Sequence, residues 1–365
     1  MRRILVSGLG RVGYRTFKHL RELIKDAVFY VVESDKSRLE HVKELPGVET
    51  FQYEPGILGR LAERADIAVT ALPSSVGYRA VLELVDKCID IVDVSFFRED
   101  PYVLEKIVDD CRSRLVVDAG FAPGYSNVVA GYVYHVLGLD EEINIAVGGI
   151  PCENIPPIGY TVTWNPRDLL EEYIRPARYI ENHELRTGNP LDHVFKVSIE
   201  DFGELEGFLS DGLRTMLRNI KARNMREITL RWPGHIDAIK VLYRLGFLDT
   251  SEINVANTRI SPIDYTASLL EKKLSPRVPD VAIMHVKAIG KSGETYNELA
   301  LLFGTPEDPA IPVFTALVHA YTVKIIHEEG VKPGIYPLEE LYPYKINYEK
   351  YLASKGVVIK TSRHG

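Results

Sequence analysis

The sequence predicts an α/β protein: a doubly wound parallel sheet followed by a second α+β, mostly antiparallel domain. Three observations carry that expectation. The first third of the chain alternates six short apolar runs with helical patterns. A glycine-rich turn joins the first run to the first helix, and beyond about residue 137 the pattern changes to alternating and β-branched segments. A chain of 365 residues is also long enough for two cores.

The first strand is Arg3 to Ser7, "RILVS". Gly8-Leu9-Gly10-Arg11-Val12-Gly13 follows, and then "RVGYRTFKHLREL", with Val12, Phe17, Leu20 and Leu23 on one helical face. A GxGxxG alone is a weak signal, but a strand before it and a helix after it make it a dinucleotide-binding (Rossmann) turn. Gly8 permits the tight turn, Gly10 the approach of a pyrophosphate, and Gly13 the close packing of helix on strand. The helix amides and dipole supply the anion site. The second strand, "AVFYVVES", ends at Glu33, twenty residues after Gly13, where an acid accepts hydrogen bonds from the adenosine ribose. Asp35 is the alternative. A carboxylate there favours NAD over NADP, and Lys36 and Arg38 close behind it pull the other way.

The alternation continues through "VETFQY", "GILGRLAERA", "DIAVTALPSS", "VGYRAVLELVDK", "IDIVDVSFF", "PYVLEKIVDDC" and "SRLVVDAGFAP". Ligands of such sheets bind outside the carboxyl ends of the strands. Leu72-Pro73-Ser74, Asp93 with Ser95, and Asp118 are therefore expected at the nicotinamide side. Gly120, Pro123 and Gly124 in "VVDAGFAPGYSN" make a corner out of the nucleotide domain, with backbone passing close to a ligand.

After a helix over about 124–137, "EINIAVGGI", "GYTVTWN", "ARYIEN", "HVFKVSIEDF", "GELEGFLS" and "REITLRW" read as strands, and "NPRDLLEEYI", "GLRTMLRNI" and "HIDAIKVLYRL" as helices. "VAIMHVKAIG" and "ETYNELALLFG" form a hairpin. "PVFTALVHAYTVKIIHEEG" is a helix ending at Gly330, and it implies that the C-terminal segment returns to the nucleotide domain. The expected boundaries are 1–122, 123–308 and 309–365.

Composition narrows the function. A net charge of −7 speaks against nucleic acid as a partner. The sequence shows no run of about eighteen apolar residues, so no membrane span is expected. Cys88, Cys111 and Cys152 have no CxxC spacing and no histidine in ligand spacing, so neither a disulfide framework nor a metal site is expected, and a reducing cytoplasm fits. Gln52 is the only glutamine among plentiful Glu and Arg, the bias of hyperthermophile proteins.

GLGRVG (8–13), ALP (71–73), VDVSFF (92–97), DAGFAPGYSN (118–127), VGGIP (147–151), YTVTWNPRDLLEEYIRPAR (160–178), SDGLRTM (210–216) and TLRWPGH (229–235) together resemble the saccharopine dehydrogenase family, most closely its lysine 6-dehydrogenase branch. The resemblance implies an NAD(P)-linked oxidoreductase of amino acids carrying a primary or secondary ε-amine, homodimeric, with the nucleotide domain split between the two ends of the chain. It makes Arg231 the expected partner of a substrate carboxylate.

The chemistry sets further requirements. An amine with a pKa of about 10.4 must lose its proton before hydride leaves its carbon, and an α-carboxylate and α-ammonium need a donor and an acceptor. His235 is a proton-transferring group or a locally bonded helix residue. Asp211, next to Arg214, receives the α-ammonium or caps a helix. Tyr160 and Trp164 line the aliphatic chain or belong to the core. Asp93 and Asp118 orient the reacting groups or cap turns. The alternatives to lysine oxidation are saccharopine formation or cleavage, and a homospermidine-synthase-like transferase with retained NAD.

Overall fold

The computed structural model describes residues 2–275, 278–329 and 331–365. The first part of the chain runs β1 (Arg2–Ser7), α1 (Arg11–Leu23), β2 (Ala27–Glu33), α2 (Lys36–Glu40), β3 (Val48–Gln52), α3 (Ile57–Ala62), β4 (Ile67–Thr70), α4 (Ser74–Val85), β5 (Asp90–Asp93), α5 (Glu105–Cys111) and β6 (Arg114–Val116). The middle runs α6 (Tyr125–His135), β7 (Glu142–Pro151), α7 (Pro166–Ile174), β8 (Ala177–Glu181), β9 (Glu184–Gly188), β10 (Val194–Ile199), β11 (Gly203–Ser210), α8 (Met216–Asn219), β12 (Asn224–Arg231), α9 (His235–Arg244), β13 (Ile253–Val255), β14 (Thr258–Ile260), α10 (Pro262–Lys273), β15 (Asp280–Ile289) and β16 (Thr295–Gly304). The last part is α11 (Ala310–Glu328), β17 (Gly334–Tyr336), α12 (Lys345–Ser354) and β18 (Val358–His364).

The chain divides into two units, one of residues 1–128 with 312–355 and the other of 129–311 with 356–365. The first holds a seven-stranded sheet in the order β3-β2-β1-β4-β5-β6-β17, every neighbouring pair parallel. Strand order reverses at β1, which creates the switch point where doubly wound sheets take their ligands. Ile4, Leu5, Val6 and the interior of β2, β4 and β5 are buried, as strands covered on both faces must be.

The class is as the sequence predicts, and several details differ. β6 is only Arg114–Val116 rather than the whole of "SRLVVDAGFAP", because Asp118 adopts a left-handed φ of 56° and ends the ladder. A seventh strand, β17, extends the sheet beyond β6. The expected helix end at Gly330 lies outside the described residues. The C-terminal segment is split: β18 pairs with β16 in the second unit instead of joining the first.

One correction concerns the cysteines. Cys88 and Cys111 form a disulfide, their Cα atoms 4.9 Å apart. Spacing in sequence did not reveal it, because the ends of α4 and α5 meet only in the fold. Among the described residues, α11 is long and apolar enough by composition to cross a membrane. Its side chains Phe314, Leu317, His319, Thr322, Val323 and Ile326 are buried, however, and His319 bonds Thr16 and the carbonyl of Val92. That is the pattern of a core helix.

The second unit is built on a nine-stranded sheet, β10-β11-β12-β7-β15-β16-β18, with β8 and β9 attached through β12. Among the described residues, β7 and β12 are the one parallel pair of this sheet. "GYTVTWN" is not a strand. Its Val162 amide bonds the carbonyl of Leu274, and Asn165 then caps α7 by accepting from Arg167 and Asp168. "GLRTMLRNI" contributes a single turn, α8. The hairpin of β15 and β16 pairs from Asp280–Gly304 to Ile289–Thr295.

Candidate functional site

In the first unit the glycine turn leaves the end of β1 and enters α1. Gly8 has φ +95°, and a Cβ there would lie 2.5 Å from the carbonyl oxygen of Ala71. A Cβ on Gly13 would lie 2.1 Å from the carbonyl of Gly8. Both glycines are thus required by the chain's own packing. Gly10 differs: the nearest atom to a Cβ there is the guanidinium of Arg38, 3.9 Å away. Among the described residues nothing comes closer to that space. It opens on a cleft of about 410 Å³ lined by Leu9, Gly10, Arg11, Tyr14, Arg15, Arg38 and His41. A backbone cradle at a helix N-terminus, with room where a side chain would stand, fits a dinucleotide pyrophosphate.

Glu33 sits beside this turn, as its spacing implies. Its Oε2 accepts from the amide of Leu9 at 2.6 Å, and its Oε1 from the amides of Ser34 and Asp35 and the hydroxyl of Ser34. Burial alone raises its pKa, but these donors outweigh burial and hold the carboxyl below its ordinary value. Asp35 is the N-cap of α2, accepting from the amide and hydroxyl of Ser37. That fixed task, rather than ribose recognition, is what the structure gives it.

The carboxyl ends of β4 and β5 lie next in the sheet. Asp93 is fully buried and accepts from the hydroxyl of Thr70 and from the amide and hydroxyl of Ser95. The Leu72 amide donates to the Ser95 hydroxyl at 3.3 Å. Burial, reinforced by the charge of Asp118, pushes the Asp93 carboxyl up to about 7. Asp93 thereby braces two strand ends, as the turn-capping alternative named for it expects. Pro73 precedes α4, Ser74 opens it, and the backbone of Asp118 lies alongside, since the amide of Ala119 bonds the carbonyl of Asp93.

The corner after Asp118 closes on itself. A Cβ on Gly124 would lie 1.7 Å from the carbonyl oxygen of Gly120, the Tyr125 amide bonds that carbonyl, and Asn127 accepts from the Gly124 amide. The glycines let backbone pass backbone, not a ligand.

The second unit gathers the expected substrate residues into its core. Arg231 is 2% exposed. It donates through Nε to the Tyr173 hydroxyl at 3.1 Å, to its neighbour's carbonyl, and to Glu172 at 3.2 Å. Its guanidinium stands 4.6 Å from the ring centre of Tyr160 and 5.5 Å from that of Phe208. His235, the first residue of α9, faces the carbonyl of Ile158 with Nδ1 and the Tyr173 hydroxyl with Nε2, each at 2.8 Å. A carbonyl only accepts, so Nδ1 carries the proton, and the chain reads Arg231 to Tyr173 to the bare Nε2. Burial and the charge of Arg231 push His235 down to about 3, which favours the neutral imidazole near neutral pH.

This geometry gives three of the expected substrate residues partners within the protein. Arg231 has a carboxylate partner in Glu172 and an aromatic box of Tyr160, Tyr173 and Phe208. Tyr160 is the buried floor of that box and takes a hydrogen bond from Trp164. Asp211 caps no helix and presents no open acceptor, because it holds Arg178 through the latter's amide, Nε and a terminal nitrogen. Arg214 is buried with a left-handed φ of 47°. Tyr173 and Glu172, which organise the cluster, were missed in the sequence. So were Tyr14, Arg15 and His41 of the cleft, although Arg11 and Arg15 at i, i+4 beside the turn were a legible signal.

A family model, "Saccharopine dehydrogenase C-terminal domain", matches residues 120–354. The chain is 21% identical over 304 residues to the mitochondrial alpha-aminoadipic semialdehyde synthase of Mus musculus, covering 76% of this chain and 31% of that protein. It is 20% identical over 367 residues to the Bos taurus protein, covering 91% and 38%. The chain thus spans about a third of the length of these relatives. Among solved structures, the apo saccharopine dehydrogenase (L-Glu forming) of Saccharomyces cerevisiae matches over 100% of both chains with a TM-score of 0.78 at 16% identity, a likeness of fold. The chain belongs to the saccharopine dehydrogenase family of oxidoreductases.

Proposed function

We propose that the chain is a nicotinamide-dinucleotide-dependent amine dehydrogenase, oxidising the terminal amine of an amino acid, with L-lysine the first choice of substrate and NAD the first choice of coenzyme. The unfilled space at Gly10 is the observation that carries the reading: a glycine whose missing side chain serves no contact within the protein serves one outside it. When bound, the dinucleotide supplies the acceptor for the hydride leaving the amine-bearing carbon, and water then hydrolyses the resulting iminium. The chain's own part is to hold the pyrophosphate on the amides of α1 and to order Gly8 to Gly10 through the Glu33–Leu9 bond. It also fixes the ends of β4 and β5 through the Thr70–Asp93–Ser95 brace. A homodimer belongs to the same reading. So does a cytoplasmic setting, which a disulfide permits in hyperthermophiles.

A secondary-amine substrate of the saccharopine type is the second reading. It is supported by the yeast structure, whose name states that activity and whose fold matches over the whole chain. Purified protein incubated with NAD and L-lysine, or with NAD and saccharopine, separates the two by the formation of reduced nicotinamide. Reduction with lysine supports the first reading and reduction with saccharopine alone the second. Binding of coenzyme with no turnover of either amine refutes both.

A further inference from the structure

We infer that Asp93 is a positioning residue for the glycine turn, which it reaches through Ser95 and Leu72, and that coenzyme binding is linked to loss of a proton from this buried carboxyl. The inference rests on the turn being the coenzyme site. The path is continuous and lies within the first unit. Oδ1 of Asp93 accepts from the hydroxyls of Thr70 and Ser95, and Oδ2 from the Ser95 amide. The Ser95 hydroxyl accepts in turn from the Leu72 amide. Ala71 and Leu72 are the wall on which the turn is packed. A Cβ on Gly8 would lie 2.5 Å from the Ala71 carbonyl oxygen and 3.1 Å from Cδ2 of Leu72, and one on Gly13 3.2 Å from Cβ of Ala71. Ser95 also seats the first turn of α4, since a Cβ on Gly77 would lie 2.5 Å from its own Cβ. A shift at Leu72 is therefore felt at Gly8.

The state of the carboxyl sets how firmly Leu72 is held. An ionised Asp93 binds the Ser95 hydroxyl with charge assistance and polarises its oxygen towards the Leu72 amide. A protonated Asp93 withdraws that assistance, and the Leu72 bond, the longest of the set at 3.3 Å, is the first to slacken. Both forms are populated near neutrality, because burial and the charge of Asp118 push the carboxyl up to about 7. Thr70 and Ser95 carry no charge, and His319, which bonds the carbonyl of Val92, is pushed down to about 4 by its own burial. The coenzyme binds the firmly held turn, so affinity is full above pH 7 and weakens below it. Linkage is reciprocal: binding near pH 7 must release a proton from Asp93 to the buffer.

The test is calorimetry with NADH and with ADP-ribose, which lacks the nicotinamide, in buffers of different ionisation enthalpy. Both Kd values are expected to rise about fivefold or more between about pH 8 and about pH 6, and both ligands to release a fraction of a proton at pH 7. Asp93→Asn should bind at the weaker level throughout and release no proton. Ser95→Ala keeps the acid but cuts the link, so it should flatten the binding slope while unfolding free energy still follows the titration of Asp93. His41→Gln removes the imidazole lining the cleft and should leave the slope in place. Wild-type affinities independent of pH overturn the inference, as does a slope that survives Asp93→Asn or vanishes in His41→Gln. A slope with NADH that is absent with ADP-ribose also overturns it, since the acid then acts on the nicotinamide end and not through the turn. All of these leave the proposed function standing. Binding of neither ligand at any pH removes the proposed function itself.

Discussion

The glycine turn of the first unit and the Arg231 cluster of the second contain the same kinds of groups, arginines, carboxylates and aromatic rings, arranged to opposite ends. Around Arg231 every group is turned inward: guanidinium to Glu172 and Tyr173, hydroxyl to imidazole, imidazole to carbonyl. At the turn, Arg38 is half exposed and the position above Gly10 is empty of protein. Clustered polar residues in a sequence do not distinguish these cases. What separates a binding site from a polar core is the hydrogen-bonding capacity left over after the protein has satisfied itself.

The comparison breaks most readily at Arg231. Arg231→Ala leaves Glu172, Tyr173 and the rings without their centre, and breaking such a buried pair destabilises by about 3–5 kcal/mol. Denaturant unfolding should show that loss. A stably folded variant with only a raised KM would restore Arg231 to the substrate site. Reduction of the Cys88–Cys111 bond, which closes a loop over a sequence separation of 23, should lower stability by about 3 kcal/mol. NADH affinity measured under native conditions in the reduced protein should hold, since neither cysteine lines the cleft.

Gly10→Ala tests the open side of the contrast. Its φ of −67° suits alanine and its Cβ meets nothing closer than 3.9 Å, so thermal unfolding should stay within about 1 kcal/mol of the parent. Coenzyme affinity should fall a hundredfold, about 2.7 kcal/mol. A variant that binds as before would show the space to be idle.

Two opposed pH slopes complete the contrast. Asp93 titrates near 7 when folded and near 3.8 when unfolded, so the folded protein keeps a proton that the unfolded chain releases. Its contribution to stability therefore declines as pH rises from about 4 to about 7. His235 is held to about 3 against an ordinary 6.5, so its contribution is present above 6.5 and is lost as pH falls towards 3. Asp93→Asn should flatten the first slope and His235→Gln the second, read from unfolding free energy against pH. If neither variant changes its slope, the burial of these groups does not control their ionisation.

The sequence made the nucleotide half legible because strand, turn and helix there are neighbours in sequence, and the glycine spacing records geometry directly. Glu33 could be placed for the same reason. The Arg231 cluster was not legible, since Ile158, Tyr173 and Phe208 reach Arg231 and His235 only across the sheet and α7. The motif TLRWPGH marks its residues as special without stating whether they face a ligand or one another. Arg178 and Asp211 illustrate the same difficulty: an acid before a glycine reads as a cap, and its true partner lies 33 residues away. The disulfide escaped notice because only the packed helix ends bring its sulfurs together.

The outermost strand of the nucleotide sheet has a consequence for biosynthesis. β17 lies against β6, and Arg114 donates to the carbonyl of Ile326, 212 residues further along the polypeptide. A ribosome must therefore deliver nearly the whole message before that edge is covered. Until then the nascent first half exposes an unpaired strand, a state in which chains aggregate and chaperones engage.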